Sequence, residues 1–209
     1  MNIIDMHCDT LYQIYNAKRE GRTFSMRDTA SLLVNALKMK AGGYLLQNFA
    51  AFVDIEEAKE VLGGEDAPYR YAKELVRIFK EQVAANSDLI RPAASFAELQ
   101  ANQEAGVASA MLTLEEGGIC LGDIEKLREF YQDGARMMTL TWNYENEIGY
   151  PAAMQKEGSS GYRRGEKRTY GLKETGIQFL SEMETLGMII DVSHLSDDGF
   201  FDVYEHTTK

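Results

Sequence analysis

The chain has 209 residues, 44% hydrophobic and 10% aromatic, which is enough apolar material for one packed domain and excludes a disordered tail. Acids outnumber bases 33 to 22, for a formal net charge of −11. That balance argues against nucleic acid and anionic membrane surfaces as partners, because both require a cationic patch.

No run approaches the roughly 20 apolar residues of a membrane span. The start, MNIIDMHCDT, lacks the basic residues and the long apolar core of a secretory signal. Two cysteines, Cys8 and Cys120, cannot build a disulfide framework, and they are expected as reduced thiols in a cytoplasmic protein.

In chain order, residues 1–8 read as a short strand. Residues 28–41 have helical spacing, with Leu33, Ala36 and Leu37 on one face, Asp28 or Thr29 as a cap, and Gly42-Gly43 as a stop. Residues 43–54 predict a buried strand. Over 66–89 the apolar residues Ala72, Leu75, Val76, Phe79 and Val83 mark one face of a helix. A strand at 107–115 closes on Gly117-Gly118, a helix follows at 123–132, and 135–142 is another strand. Residues 143–170 are polar and aperiodic, and connections of that length are usually functional or mobile. An amphipathic helix at 172–186 carries Phe179, Leu180, Met183 and Leu186. A strand at 187–194 and a helix at 197–206 complete the chain.

Strands thus alternate with helices five times, which implies an α/β fold with a parallel sheet covered on its faces. A (β/α)8 barrel typically takes about 250 residues and eight units. The pattern fits either an open α/β sheet or such a barrel cut short.

The chemistry-bearing residues fall at predicted strand ends. On a strand, His7 and Asp9 point the same way, together with Ile3 and Asp5, and form an imidazole–carboxylate half-site for a metal. Cys8 points away and reads as a small buried hydrophobe. Glu115 and Glu116 end a strand and face opposite ways, so at most one of them can join His7 and Asp9. His194 ends the last strand. Asp191 falls on the opposite face and reads as structural, while Ser193, Ser196 and Asp197 read as a turn and helix cap. His206 lies in a polar terminal stretch and reads as surface. Alternate strand ends are where α/β enzymes build their sites. There is no nucleophile elbow, no P-loop and no dinucleotide fingerprint.

Five segments, DMHCDT (5–10), GGYLLQNFAAFV (42–53), LEEGG (114–118), MMTLTWN (137–143) and GLKETGIQFLSEMETLGMIIDVSHLSD (171–197), resemble the membrane (renal) dipeptidase family of zinc peptidases. Its soluble bacterial members match best. The resemblance implies a (β/α)8 barrel of the metal-dependent hydrolase type, of which residues 1–209 cover roughly the first five units as a single catalytic domain truncated at its C-terminal end. It implies two zinc ions. His7 and Asp9 bind the first, Glu116 bridges both as the catalytic carboxylate, and His194 binds the second. It implies hydrolysis of dipeptides by a metal-bridging hydroxide, or a related amidase or lactonase reaction, or a non-catalytic metal-binding relative.

Two departures stand out. Trp142 occupies the place after Leu140-Thr141 where well-known members carry a histidine, so Trp142 and Asn143 are expected at the substrate pocket. A further metal-binding histidine, an arginine and a catalytic aspartate of the family lie beyond Lys209, so the chain alone is expected to be weakly active or inactive. Unpaired strand edges predict association with a second copy.

Overall fold

The computed structural model describes residues 2–156 and 168–208. The 157–167 part of the predicted connection lies outside the described residues. The elements run β1 (Ile3–Asp5), α1 (Thr10–Arg19), α2 (Ala36–Gly42), β2 (Tyr44–Phe52), α3 (Ile55–Leu62), α4 (Ala67–Ala85), β3 (Ile90–Pro92) and α5 (Phe96–Glu104). They continue with β4 (Ala108–Glu115), α6 (Ile124–Gln132), β5 (Ala135–Thr139), α7 (Glu174–Leu186), β6 (Ile189–Asp191) and α8 (Asp197–His206). Among the described residues no helix is long and apolar enough to cross a membrane.

The chain forms two compact units, Met1–Phe52 with Ala72–Thr113, and Val53–Tyr71 with Leu114–Lys209. In the first, β1 pairs in parallel with β2, Ile3 opposite Tyr44 and Asp5 opposite Gln47. β2 neighbours β4, and β3 lies parallel to β4 with Ile90 opposite Ala108. The central residues of β2, Phe49, Ala50 and Ala51, are all buried. Phe49 meets Phe79 of α4 at a ring separation of 6.0 Å. The apolar face expected on α4, from Ala72 to Val83, is buried as its spacing requires. Each of its larger side chains, Leu75, Val76, Phe79 and Val83, contributes about 1.5–3 kcal/mol relative to exposure.

The helix expected over 28–41 is shorter, and only Ala36–Gly42 is helical. Side chains before it compete for the backbone. The Thr29 hydroxyl accepts from Ser25 N–H, the Asn35 amide donates to the Thr29 carbonyl, and Asn35 Oδ1 accepts from Lys38 N–H. Polar side chains of this kind cap a helix rather than continue one. Leu33, expected on the buried face, is 83% exposed, and Leu32 is buried instead.

In the second unit β5 lies parallel to β6, with Met137 opposite Ile189 and Thr139 opposite Asp191. Leu127 and Phe130 of α6 and Phe179, Leu180 and Met183 of α7 are buried, as their helical spacing predicts. β6 spans three residues instead of the expected eight. Asp191 stops it, because Oδ1 accepts both the N–H and the hydroxyl of Ser193 while Oδ2 accepts the Thr139 hydroxyl. Ser196 then caps α8 by accepting from Gly199 N–H, and α8 has the expected bounds. His206 is exposed near its end. The sequence pattern missed α1, α3, α5 and β3, elements of three to ten residues.

Candidate metal centre

His7 and Asp9 do not lie on β1, which ends at Asp5. Strand alternation therefore does not bring them together, and the correction is to a turn. The chain leaves β1, the Asp5 carboxylate accepts His7 N–H at 3.3 Å, and Asp9 becomes the N-cap of α1. The Asp9 side chain makes no capping bond to that helix. It meets the imidazole instead, His7 Nε2 lying 3.0 Å from Asp9 Oδ1, with the two side chains 45% and 48% exposed. Between them Cys8 is buried, and burial pushes its thiol up to about 12. Buried in this way it packs as a small core residue, as its sequence position predicts.

Glu115 and Glu116 part company at the end of β4. Glu115 is the strand's last residue and is buried, with its Oε1 3.6 Å from Nε2 of His194. Glu116 is outside the strand, at φ +96°, in a region that non-glycine residues rarely occupy. It has no exposed surface. Both of its oxygens are engaged. Oε1 accepts Gly118 N–H at 2.7 Å and the Asn146 side-chain amide, and Oε2 accepts Trp142 N–H at 2.8 Å. Burial pushes the Glu116 carboxyl above its usual range, and the donors from Asn146, Gly118 and Trp142 pull it back. The glycines that follow are a steric necessity. A Cβ on Gly117 would stand 2.7 Å from the Leu140 carbonyl oxygen, and one on Gly118 would stand 2.6 Å from Ile55 Cδ1.

Asn146 completes the network. Its amide also donates to the Leu140 carbonyl at 2.9 Å, and its Oδ1 accepts the N–H groups of Ile148 and Gly149 at 2.8 and 3.1 Å. Nothing in the aperiodic composition of 143–156 distinguishes Asn146 from its exposed neighbour Asn143. Its only sequence signal is the Ile148-Gly149 pair after it.

His194 follows β6 and does not lie on it, with φ at +63°. Its carbonyl accepts Ala152 N–H at 2.7 Å, which ties it to the segment after β5. Two of the three described non-glycine residues at positive φ are therefore Glu116 and His194. Strain of this kind clusters at functional sites. The indole of Trp142 packs against the His194 ring at 6.4 Å and 56°, and the Tyr144 ring meets the indole edge-on at 5.9 Å.

Imidazole nitrogen and carboxylate oxygen are the donors zinc takes when thiolates are absent. His7, Asp9 and Glu115 each offer a ligand atom of that kind. The Glu116 oxygens already hold three hydrogen-bond donors. The donor chemistry fits a divalent ion such as zinc.

The chain is similar to known peptidases along its whole length. An uncharacterized dipeptidase of Schizosaccharomyces pombe is 26% identical over 98% of this chain and 49% of its own. The dipeptidase AC, described as a metallo peptidase of family M19, superposes with a TM-score of 0.78 at 20% identity, covering 99% of this chain and 60% of that one. A metallo peptidase from Rhodobacter sphaeroides, liganded with a phosphinate mimic of the dipeptide L-Ala-D-Ala, gives a TM-score of 0.78 at 20% identity over 98% of this chain and 62% of that one. These likenesses show the α/β fold of the (β/α)8-barrel type. The chain spans about half the length of the curated relatives it matches. The model of the membrane dipeptidase family matches residues 1–209, and the chain therefore belongs to the membrane dipeptidase family, peptidase family M19.

Proposed function

We propose that the intact protein is a zinc-dependent dipeptidase with two metal ions, in which His7 and Asp9 would serve one ion, His194 would serve the other, and a carboxylate at the end of β4 would be shared between them. The observation that carries this reading is the Glu115 carboxylate lying beside the His194 imidazole in a chain matched end to end by a peptidase family. The same observation favours Glu115 over Glu116 as the bridging acid. Bridging through both Glu116 oxygens would displace Gly118 N–H or Asn146 from Oε1, which already accepts both, and leaving a buried donor unpaired costs about 1–3 kcal/mol.

Zinc, when bound, polarises a carbonyl and lowers the pKa of water to near 7. The chain's own part is to orient the ligands and wall the site. Asp9, the second ligand to that ion, also lies 3.0 Å from the His7 imidazole and fixes where the pair points. Trp142 stands beside His194 where a substrate side chain would pass. Both thiols are free and buried, which supports a cytoplasmic setting.

The intact protein assayed on a panel of dipeptides is expected to release free amino acids. It should lose that activity in a strong chelator and regain it with zinc. Turnover of lactones or simple amides, with dipeptides untouched, would replace this reading with another hydrolase.

A further inference from the structure

A buried carboxylate of the second unit that accepts three hydrogen bonds belongs to a residue that the proposed chemistry does not use. Glu116 is fully buried, sits on a strained backbone, and binds groups up to 30 residues away in sequence. A charge held that way is costly unless it fixes something. What it fixes is the segment after β5. Through Oε2 it holds the backbone of Trp142, and through Oε1 it holds Asn146. Asn146 in turn pins Leu140, Ile148 and Gly149. The segment is fastened at both ends of the Trp142–Asn146 span, and the indole in that span lies on the His194 ring.

We propose that Glu116 and Asn146 are positioning residues, a buried clamp that sets the Trp142 indole against His194 and so fixes the direction of that imidazole. This rests on the reading of His194 as a metal ligand. The imidazole has little else to orient it. Its side chain is 39% exposed, and among the described residues its charged neighbour is Glu115 at 3.6 Å, beyond good hydrogen-bond length. The ring contact with Trp142 supplies the second constraint. A purely structural clamp would affect folding alone. A positioning clamp must also affect how the folded protein holds its metal, because losing the groups that orient a ligand typically weakens metal affinity by about 10–100-fold.

Trp142 is the only tryptophan of residues 1–209, and the difference in emission between the intact protein and its Trp142→Phe variant isolates the signal of the clamped indole. The test compares the intact wild-type protein with Glu116→Gln and Asn146→Ala by equilibrium dialysis against zinc, by Trp142 emission in the metal-free state, and by circular dichroism to certify folding. Asn146→Ala is included because Glu116→Gln alone could fail to fold. The expected result is a folded variant with red-shifted Trp142 emission and zinc binding weakened about 10–100-fold. Trp142→Phe, which keeps a ring against His194, should hold zinc within about twofold of wild type, and Trp142→Ala should resemble Asn146→Ala, the ring contact being one of the groups that orient the ligand. Folded clamp variants with wild-type emission and wild-type zinc affinity would overturn the proposal. If the wild-type protein takes up no zinc, the metal reading fails by itself, and the metal-free emission still decides whether the clamp holds the indole.

Discussion

The turn after β1 and the turn after β4 present the same chemistry under opposite physical terms. After β1, His7 and Asp9 pair across two residues with about half of each side chain in water. Water solvates whatever the pair leaves unmet, so holding it there costs the fold little. After β4, Glu115 and Glu116 are both buried, and every oxygen needs a protein partner. Those partners come from Trp142, Asn146 and His194, 26 to 79 residues further along. The difference teaches which residues can be replaced without unfolding the protein. A site residue in the first turn is separable from stability. In the second turn Glu116 is part of the frame, and Glu115, also buried, tolerates only a change that keeps its shape.

The largest expected effect breaks the symmetry between the two adjacent glutamates. Glu115→Gln and Asp9→Asn in the intact protein should each lower kcat/KM by more than about 100-fold, as loss of a metal ligand or its orienting carboxylate does. Their melting temperatures should stay within a few degrees of wild type. Steady-state assays beside thermal unfolding measure both. Full activity in Glu115→Gln would return the bridging role to Glu116.

Glu116→Gln should show the reverse profile in stability. The amide keeps one acceptor oxygen and turns a donor toward Trp142 N–H, so unfolding free energy should fall by about 1–3 kcal/mol. His7→Ala, in the solvated turn, should change it by less than about 0.5 kcal/mol. Urea unfolding of the two variants side by side tests the contrast, and equal losses would erase it. Gly117→Ala sharpens the same point, since its methyl would press on the Leu140 carbonyl. Overpacking of this kind costs about 1–3 kcal/mol.

The contrast also explains what was legible in the sequence. The strand–helix alternation was readable because apolar faces repeat locally, as α4 and α7 show. His7 and Asp9 were readable as a pair because they are two residues apart, although a turn and not strand alternation joins them. Alternation would send Glu115 and Glu116 to opposite faces, but Glu116 has already left the strand at φ +96°. Which of the two faces the site was not legible. That choice depends on Asn146, which lies in an aperiodic stretch and becomes distinctive only when its amide meets a buried carboxylate. Three-residue strands such as β3 leave too short a pattern to detect, and the Asn35 cap ended a helix that apolar spacing alone would have extended.

The smallest expected effect uses pH, because solvated and buried carboxylates titrate in opposite directions. Glu74 on α4 accepts from Arg77 and Lys18, and these cations hold its carboxyl down at about 2. A depressed carboxyl stabilises the fold above its unfolded value near 4.5, and that contribution is lost as pH falls toward 2. Glu116 has the opposite sign. Its carboxyl is raised by burial, so the fold binds that proton more tightly than the unfolded chain does, and stability declines as pH rises past the ordinary carboxylate range. Glu74→Gln should therefore lower stability at pH 7 by no more than about 1 kcal/mol, because its partners are well exposed. The deficit should shrink as pH drops from about 4.5 toward 2. Urea unfolding of wild type and Glu74→Gln at pH 7, 4 and 3 resolves the slope. A deficit that stays constant across that range would mean the lost interaction is packing by the Glu74 side chain, and the exposed pairs would then carry no pH-dependent stability to set against the buried clamp.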